Sequence, residues 1–403
     1  MSNVPKLRFK EFSGEWNKER FGELCGFEQG VQVDVELQTK EQSDDLVRFI
    51  RIENYTQNSS DFRFIPKELA KKKSIDEKEI AIVRYGATAG FIGRGFSGVL
   101  ANNLFKLKPN HKLLDDEYLY HYLKSYKAFH FFQSEMAGGA MPALSFGIVK
   151  ALKLPYPSKQ EQENIASFLT SVDTKIEQLT KKEQLLSSYK KGVMQKIFNQ
   201  EIRFKKDDGS EFCEWEEKSL GEIFKRITTK NKENNPNVLT ISAQFGLINQ
   251  EKFFNKSVSA KDVTGYYLLE NGDFAYNKSY SNGYPMGAIK RLNKYDKGVV
   301  STLYICFRIN SGYDSSFYEK YFNSGFLNRE LHKIAQEGAR NHGLLNISVV
   351  EFFNDIKIPV PVYEEQTKIA NFLSSIDTKI EQVQNQLKQT KEFKKALLQQ
   401  MFV

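Results

Sequence analysis

The octet "SVDTKIEQ" at residues 171–178 returns as "SIDTKIEQ" at residues 375–382, 204 positions later and with a single Val to Ile change. Laying residues 154–198 over residues 358–402 needs no gap and gives 19 identities in 45 positions. Similarity at a fixed offset marks a duplicated unit, which decides the fold before any local reading does. The repeat also extends outward. "LRFK" (7–10), Trp16 and "FGEL" (21–24) near the start answer to "IRFK" (202–205), Trp215 and "LGEI" (220–223) further on. The chain's two tryptophans therefore hold equivalent places, each five residues ahead of Phe21 or Leu220. The repeating unit is a globular domain of about 150 residues followed by a long helix, and it occurs twice. The boundaries read as a first domain at 1–153, a first helix at 154–199, a second domain at 200–357 and a second helix at 358–403.

Each helical segment opens on a proline-rich tetrapeptide, "LPYP" or "IPVP", and is free of proline afterwards, as an extended lead-in followed by a helix requires. Apolar residues then recur at heptad spacing. In the first copy these are Leu169, Ile176 and Ile197, interleaved with Val172, Leu179, Leu186 and Val193. In the second they are Leu373, Ile380, Leu387 and Met401, interleaved with Ile376, Val383 and Leu397. This is the a/d seam of a coiled coil, broken by Glu183, Lys190, Thr390 and Lys394, polar residues suited to fixing register. A helix of some forty residues spans about 60 Å and cannot bury such a stripe alone. The partner is either the other copy or the neighbouring domain. If it is the other copy, chain order demands antiparallel helices with a domain at each end, and the first "RFK" block should lie near Phe402.

Between their repeated edges the domains differ almost everywhere. The first reads as strands at 49–55, 80–86, 90–96 and 103–109 and a helical stretch at 117–133. The second reads as strands at 237–243, 273–279, 287–292 and 302–310 and a helical stretch at 315–336. Period-two patterning with β-branched and aromatic residues supports the strands, and both domains are α+β. Two loop types stand out in each. After the third strand come Arg84, Tyr85, Thr88 and Arg94 in the first domain, and Asn277, Lys278, Ser279, Tyr280, Asn282 and Tyr284 in the second. Ahead of the long helices come "AGGAMPALS" (137–145) and "EGARNHGLLNIS" (337–348), the latter with Arg340, Asn341 and His342 side by side. Glycine permits close backbone approach, and these polar types read base edges or hold phosphates, or else form an ordinary solvated surface.

A net charge of +8 and a pI near 9.0 favour polyanionic partners such as nucleic acid. Three separated cysteines, Cys25, Cys213 and Cys306, fit neither a disulfide framework nor a zinc site, which points to a reducing cytoplasm. No apolar run is long enough for a membrane span. The chain carries no Walker phosphate loop, no dinucleotide fingerprint, no amino-methyltransferase tetrapeptide ("NNPN" at 234–237 is not one) and no metal-ligand spacing among its five histidines. Asp115, Asp116 and Glu117 cluster where acids favour a helix start. An enzyme acting by itself is a poor reading.

The repeated "Q-x-x-I-A-x-F-L-x-x-[VI]-D-x-K-I-E" (162–177 and 366–381), and the "ARNHGLLNIS" stretch (339–348), resemble the DNA-specificity subunit of type I restriction-modification enzymes. The resemblance runs the whole chain in order: recognition domain, helix, recognition domain, helix. It implies a non-catalytic subunit that binds double-stranded DNA at a bipartite, asymmetric target. It further implies two methyltransferase subunits docked on the coiled coil, using S-adenosylmethionine on adenine, and two restriction/translocase subunits using ATP and Mg²⁺, with no cofactor in this chain and no membrane. Residues outside the seam, Phe168, Phe372, Tyr189 and Phe393, would pack against partner helices or simply into the core. The rival from another class is a coiled-coil interaction scaffold without sequence-specific DNA binding.

Overall fold

The computed structural model describes residues 3–136, 142–242, 245–254, 262–280, 283–335 and 345–402. The chain divides into two compact units, one of residues 1–181 and 384–403, the other of residues 182–383. Each unit thus owns half of each long helix, Lys159–Phe198 and Tyr363–Gln400, which both run unbroken.

Each unit is built on the same four-stranded antiparallel sheet. In unit 1 the order is Cys25–Gln29, Leu104–Pro109, Ala81–Val83, Ile92–Gly93; in unit 2 it is Phe224–Arg226, Ile305–Ile309, Phe274–Asn277, Ala288–Arg291. A short ribbon closes each domain onto its helix lead-in with matched register: Asn17 faces Tyr156, and Glu216 faces Val360. The unmatched parts are an additional three-stranded sheet in unit 1 and two separate two-stranded antiparallel pairs in unit 2. The α+β expectation holds, with local corrections. Residues 49–55 are not one strand, because the strand ends at Ile50 and Ile52–Thr56 is a helix. The buried Asn54 side chain accepts from the Arg51 N–H (2.8 Å) and closes that turn. The stretch 117–133 is two helices, Asp116–Leu123 and Tyr126–Met136. Its counterpart breaks at Gly325, whose φ of +82° ends Ser315–Ser324 before Leu327–Ile334 begins.

The long helices pack antiparallel within each unit. In unit 1, Leu169 and Val172 share a core with Leu397, Met401 and Phe402; in unit 2, Met194, Ile197 and Phe198 share one with Leu373 and Ile376. Phe402 meets the rings of Tyr118 and Tyr122 (5.5 and 5.6 Å between centroids), and Phe198 meets Phe317 and Tyr321 (5.9 and 5.2 Å). Of the seam residues, Leu179, Val383 and Leu387 are buried as well, while Ile176, Leu186, Val193 and Ile380 are half-buried. The polar interruptions have specific partners. Lys394 pairs with Asp173, and Lys190 pairs with Asp377 (2.5 Å), so the aspartate of each octet holds the seam lysine of the other helix. The N-terminal segment also lies where the repeat demands: the Leu7 N–H donates to the Gln400 carbonyl (3.0 Å), as the Ile202 N–H donates to the Lys196 carbonyl (3.2 Å).

The start of each long helix is latched to its own domain by a buried Glu-Gln pair. Glu161, 2% exposed, accepts from Arg8 (2.7 Å) and from the indole N–H of Trp16 (3.2 Å). Glu365, fully buried, accepts from Arg203 (2.9 Å) and Trp215 (3.0 Å). Next to them the amide oxygens of Gln162 and Gln366 accept the N–H of Asp115 and Asp314 (2.8 Å each), while their NH₂ groups donate to Pro157 and Pro361. Asp115 and Asp314 in turn cap the helices that carry Tyr118 and Phe317. The repeated Glu and Gln side chains of this junction therefore have partners that are also repeated.

The units differ where the octet aspartate meets its own domain. Lys320 reaches Asp377 (2.7 Å) in unit 2, but the equivalent residue in unit 1 is His121, fully buried, with Nδ1 3.9 Å from Asp173 and no hydrogen bond to that nitrogen among the described residues. Burial, and then the nearby Lys394 cation, lower His121 from its ordinary 6.5 to about 3 against the opposing pull of Asp173, so the ring stays neutral.

Gln162→Ala or Gln366→Ala leaves buried backbone groups unpaired and should cost about 1–3 kcal/mol each by denaturant unfolding; equal stability with wild type would show the latch is inert. A histidine kept neutral in the fold takes up a proton on unfolding below its ordinary 6.5, so stability falls as pH drops from there toward about 3. His121→Gln should flatten that loss across pH 6.5 to 4 in pH-resolved melts, and an unchanged pH profile would contradict it.

Candidate nucleic-acid interface

In both units a basic residue stands at the same sheet position, one residue past the end of the strand Ala81–Val83 or Phe274–Asn277. Ile82 faces Phe105, and Tyr276 faces Ile305; two residues further on stand Arg84 and Lys278. Both backbones are tied to the segment ahead of the long helix. The Arg84 carbonyl accepts the Leu144 N–H (2.8 Å), and the Lys278 carbonyl accepts the Leu345 N–H (3.0 Å). Gly86 donates to Pro142 (3.1 Å), and Tyr85 bridges Ala143. Thus the two loop types that were separate in sequence meet in space, held by main-chain bonds that do not depend on which side chains the loops carry.

The Arg84 guanidinium lies over the rings of Tyr85 (4.9 Å) and Phe146 (4.7 Å). Phe146 is itself wedged against Phe27 and Phe105. Arg84 Nε is buried without a hydrogen-bond partner among the described residues, and no ion pair engages the side chain there. Arg94 is placed differently: it pairs with Glu117 (2.5 Å) and stacks on Tyr120 (3.8 Å), so its charge is engaged by the domain's own helix. Tyr85 is 37% exposed and Thr88 lies on the open loop between the two strands. In unit 2, Asn277 accepts the Ser279 N–H (3.0 Å) in a tight turn, and Tyr280 is exposed. Tyr284 sits beside Lys290, whose ammonium is 5.3 Å from the ring and donates to Asn323 (2.6 Å). Burial holds that ammonium below the usual lysine range. Asn282, Arg340, Asn341 and His342 lie outside the described residues.

The same loop borders a cleft in each unit, and the clefts differ in chemistry. In unit 1 a cavity of about 700 Å³ is lined by Thr88, Phe91, Tyr126, Phe129, Leu398 and the lysines 124, 391, 394 and 395. In unit 2 the cavity is about 280 Å³ and carries Tyr284, Lys290, Asn323, Ser324 and Asn328. Lys391, Lys395 and the exposed Tyr126 and Phe129 were not singled out in the sequence; their only signal was helical spacing, which core residues share. Among the described residues no three His, Cys, Asp or Glu side chains group as metal ligands, and no helix is long and apolar enough to cross a membrane.

Glycine supports the loops in two distinct ways. Gly86 has φ +89° with open space where a Cβ would stand, whereas at Gly287 (φ +73°) a Cβ would come within 2.2 Å of the Asn277 carbonyl. Asparagine tolerates the left-handed region. Gly86→Asn should therefore leave thermal stability within about 1 kcal/mol of wild type, while Gly287→Asn should cost more than about 2 kcal/mol. Equal effects at the two positions would refute the distinction.

Residues 13–187 and 213–391 each match the family described as the type I restriction modification DNA specificity domain. The MjaVIII type I restriction enzyme specificity subunit of Methanocaldococcus jannaschii is 28% identical, over 97% of this chain and 94% of its own length. A second protein of that organism, named as a putative MjaX specificity subunit, is 27% identical over 73% of this chain and 69% of its own. The crystal structure of a type I restriction-modification S subunit from M. genitalium superposes with a TM-score of 0.59 at 18% identity, covering 99% of both chains.

Proposed function

The chain belongs to the type I restriction-modification DNA specificity family, and from that premise we propose that it reads a two-part, asymmetric DNA target, unit 1 contacting one half and unit 2 the other. One observation carries the reading. A duplicated frame, latched by the same Glu, Gln, Asp and Trp contacts, presents two unlike loop surfaces at the same sheet position, one around Arg84 and one around Lys278. A frame that holds position while its loops vary is what two independent readers of unlike half-sites require. The positive charge of the chain supplies the sequence-independent attraction to phosphates that such binding needs.

On this reading the chain recognises DNA in the cytoplasm and performs no chemistry. Methyltransferase subunits, two per chain, would bring S-adenosylmethionine to adenine, and two translocase/nuclease subunits would bring ATP and Mg²⁺. The exposed Tyr189 and Phe393 on the long helices suit contacts with such subunits.

Exchanging residues 200–357 for the corresponding segment of another member should change the bases recognised in one half-site and leave the other intact. Mapping the protected sequence on DNA of varied composition reads this directly. Alteration of both halves, or binding that does not discriminate sequence at all, would defeat the proposal, the latter in favour of an interaction scaffold.

A further inference from the structure

Resting on the recognition reading above, we infer that Arg84 is the specificity-determining residue of unit 1 and that it reads a guanine in the major groove. The inference comes from how this one side chain is held. Its backbone is fixed on both sides, since its N–H donates to Asn103 (2.8 Å) and its carbonyl accepts from Leu144 (2.8 Å). Its guanidinium is stacked on Tyr85 and Phe146, and Phe146 is packed against Phe27 and Phe105 at 5.9 and 5.1 Å between centroids.

Among the described residues no carboxylate answers its charge, and the buried Nε has no acceptor. A cation half-buried on aromatic faces without a counter-anion leaves planar N–H donors uncommitted, and an arginine kept for structure normally spends them, as Arg94 does on Glu117. Preorganisation by stacking removes much of the rotamer entropy that a flexible arginine loses on binding. The ligand that matches a rigid, planar pair of donors on DNA is the O6/N7 edge of guanine, which accepts both. A phosphate oxygen pair accepts the same fork, so the two ligands must be separated by experiment.

The equivalent Lys278 offers a point charge in place of a fork, so the two units are not expected to read this position alike.

The purified full chain and its Arg84→Gln, Arg84→Lys and Phe146→Leu variants would be used to select binding sites from duplexes with randomised sequence. Wild type should return a guanine in one half-site, and replacing that guanine by 7-deazaguanine, which lacks the N7 acceptor, should weaken binding about tenfold or more. Arg84→Gln should lose the guanine preference at that one position and shift it toward adenine, while the other half-site is retained and thereby reports correct folding. Arg84→Lys should weaken discrimination there without moving it. Phe146→Leu should lower affinity for the same guanine site with no new base preferred.

A uniform drop in affinity for all sequences in Arg84→Gln, with a shallower salt dependence, would assign the residue to a phosphate and overturn the inference. So would an unchanged selected motif. A wild-type chain that selects no motif would instead overturn the recognition reading, and the guanine assignment with it.

Discussion

The arrangement depends on one buried junction, made twice: a carboxylate and an amide at adjacent positions near the start of each long helix. Glu161 and Glu365 lie almost wholly out of water, where an unpaired carboxylate is untenable, and an arginine and an indole N–H answer each of them. The neighbouring Gln162 and Gln366 use both ends of their amides on backbone groups of the same domain. These contacts fix the direction in which each long helix leaves its domain. Once that direction is fixed, the seam and the Asp–Lys pairs set the register in which the helices meet.

The same logic explains which identities survive between the copies. An aspartate at 173 and 377 faces a lysine at 394 and 190, so four positions are coupled through two contacts, and loss of either aspartate strands a half-buried lysine. The third partner is freer. His121 in unit 1 and Lys320 in unit 2 both approach the octet aspartate, yet one is held neutral and the other is an ion-pair partner. Unit 1 therefore keeps a buried imidazole where unit 2 keeps a charge, a difference that reaches stability against pH without touching the loops.

Much of this was legible in the sequence because the duplication supplied a second measurement of every pattern. The helices, the seam and the proximity of the "RFK" block to the end of the second helix all follow from period and order. What local pattern could not reveal was set by single side chains acting at a distance or against propensity. Asn54 bonds back to Arg51 and ends a strand that Ile52 and Tyr55 would otherwise continue. Gly325 adopts a left-handed conformation and divides what reads as one helix. At the candidate interface the residue types were visible, but their standing was not. Arg84 and Arg94 look alike in sequence, ten residues apart among glycines. Only the fold brings Glu117 to one and Phe146 to the other, because both partners arrive from later elements.

The two clefts beside the loops show how far one frame can be taken in different directions. Both are bounded by the sheet hairpin and by the break between two helices, so their walls have a common origin. In unit 1 the break is followed by Tyr126 and Phe129 and faces four lysines; in unit 2 it is Gly325 and Asn328, and the cavity is less than half the volume. Apart from Lys394, which pairs with Asp173, none of these residues takes part in the junctions that hold the frame. Variation is thus confined to side chains whose replacement leaves no buried partner stranded, and a chain built this way can acquire a new binding surface in one unit while the other unit, and the helices shared by both, stay as they were.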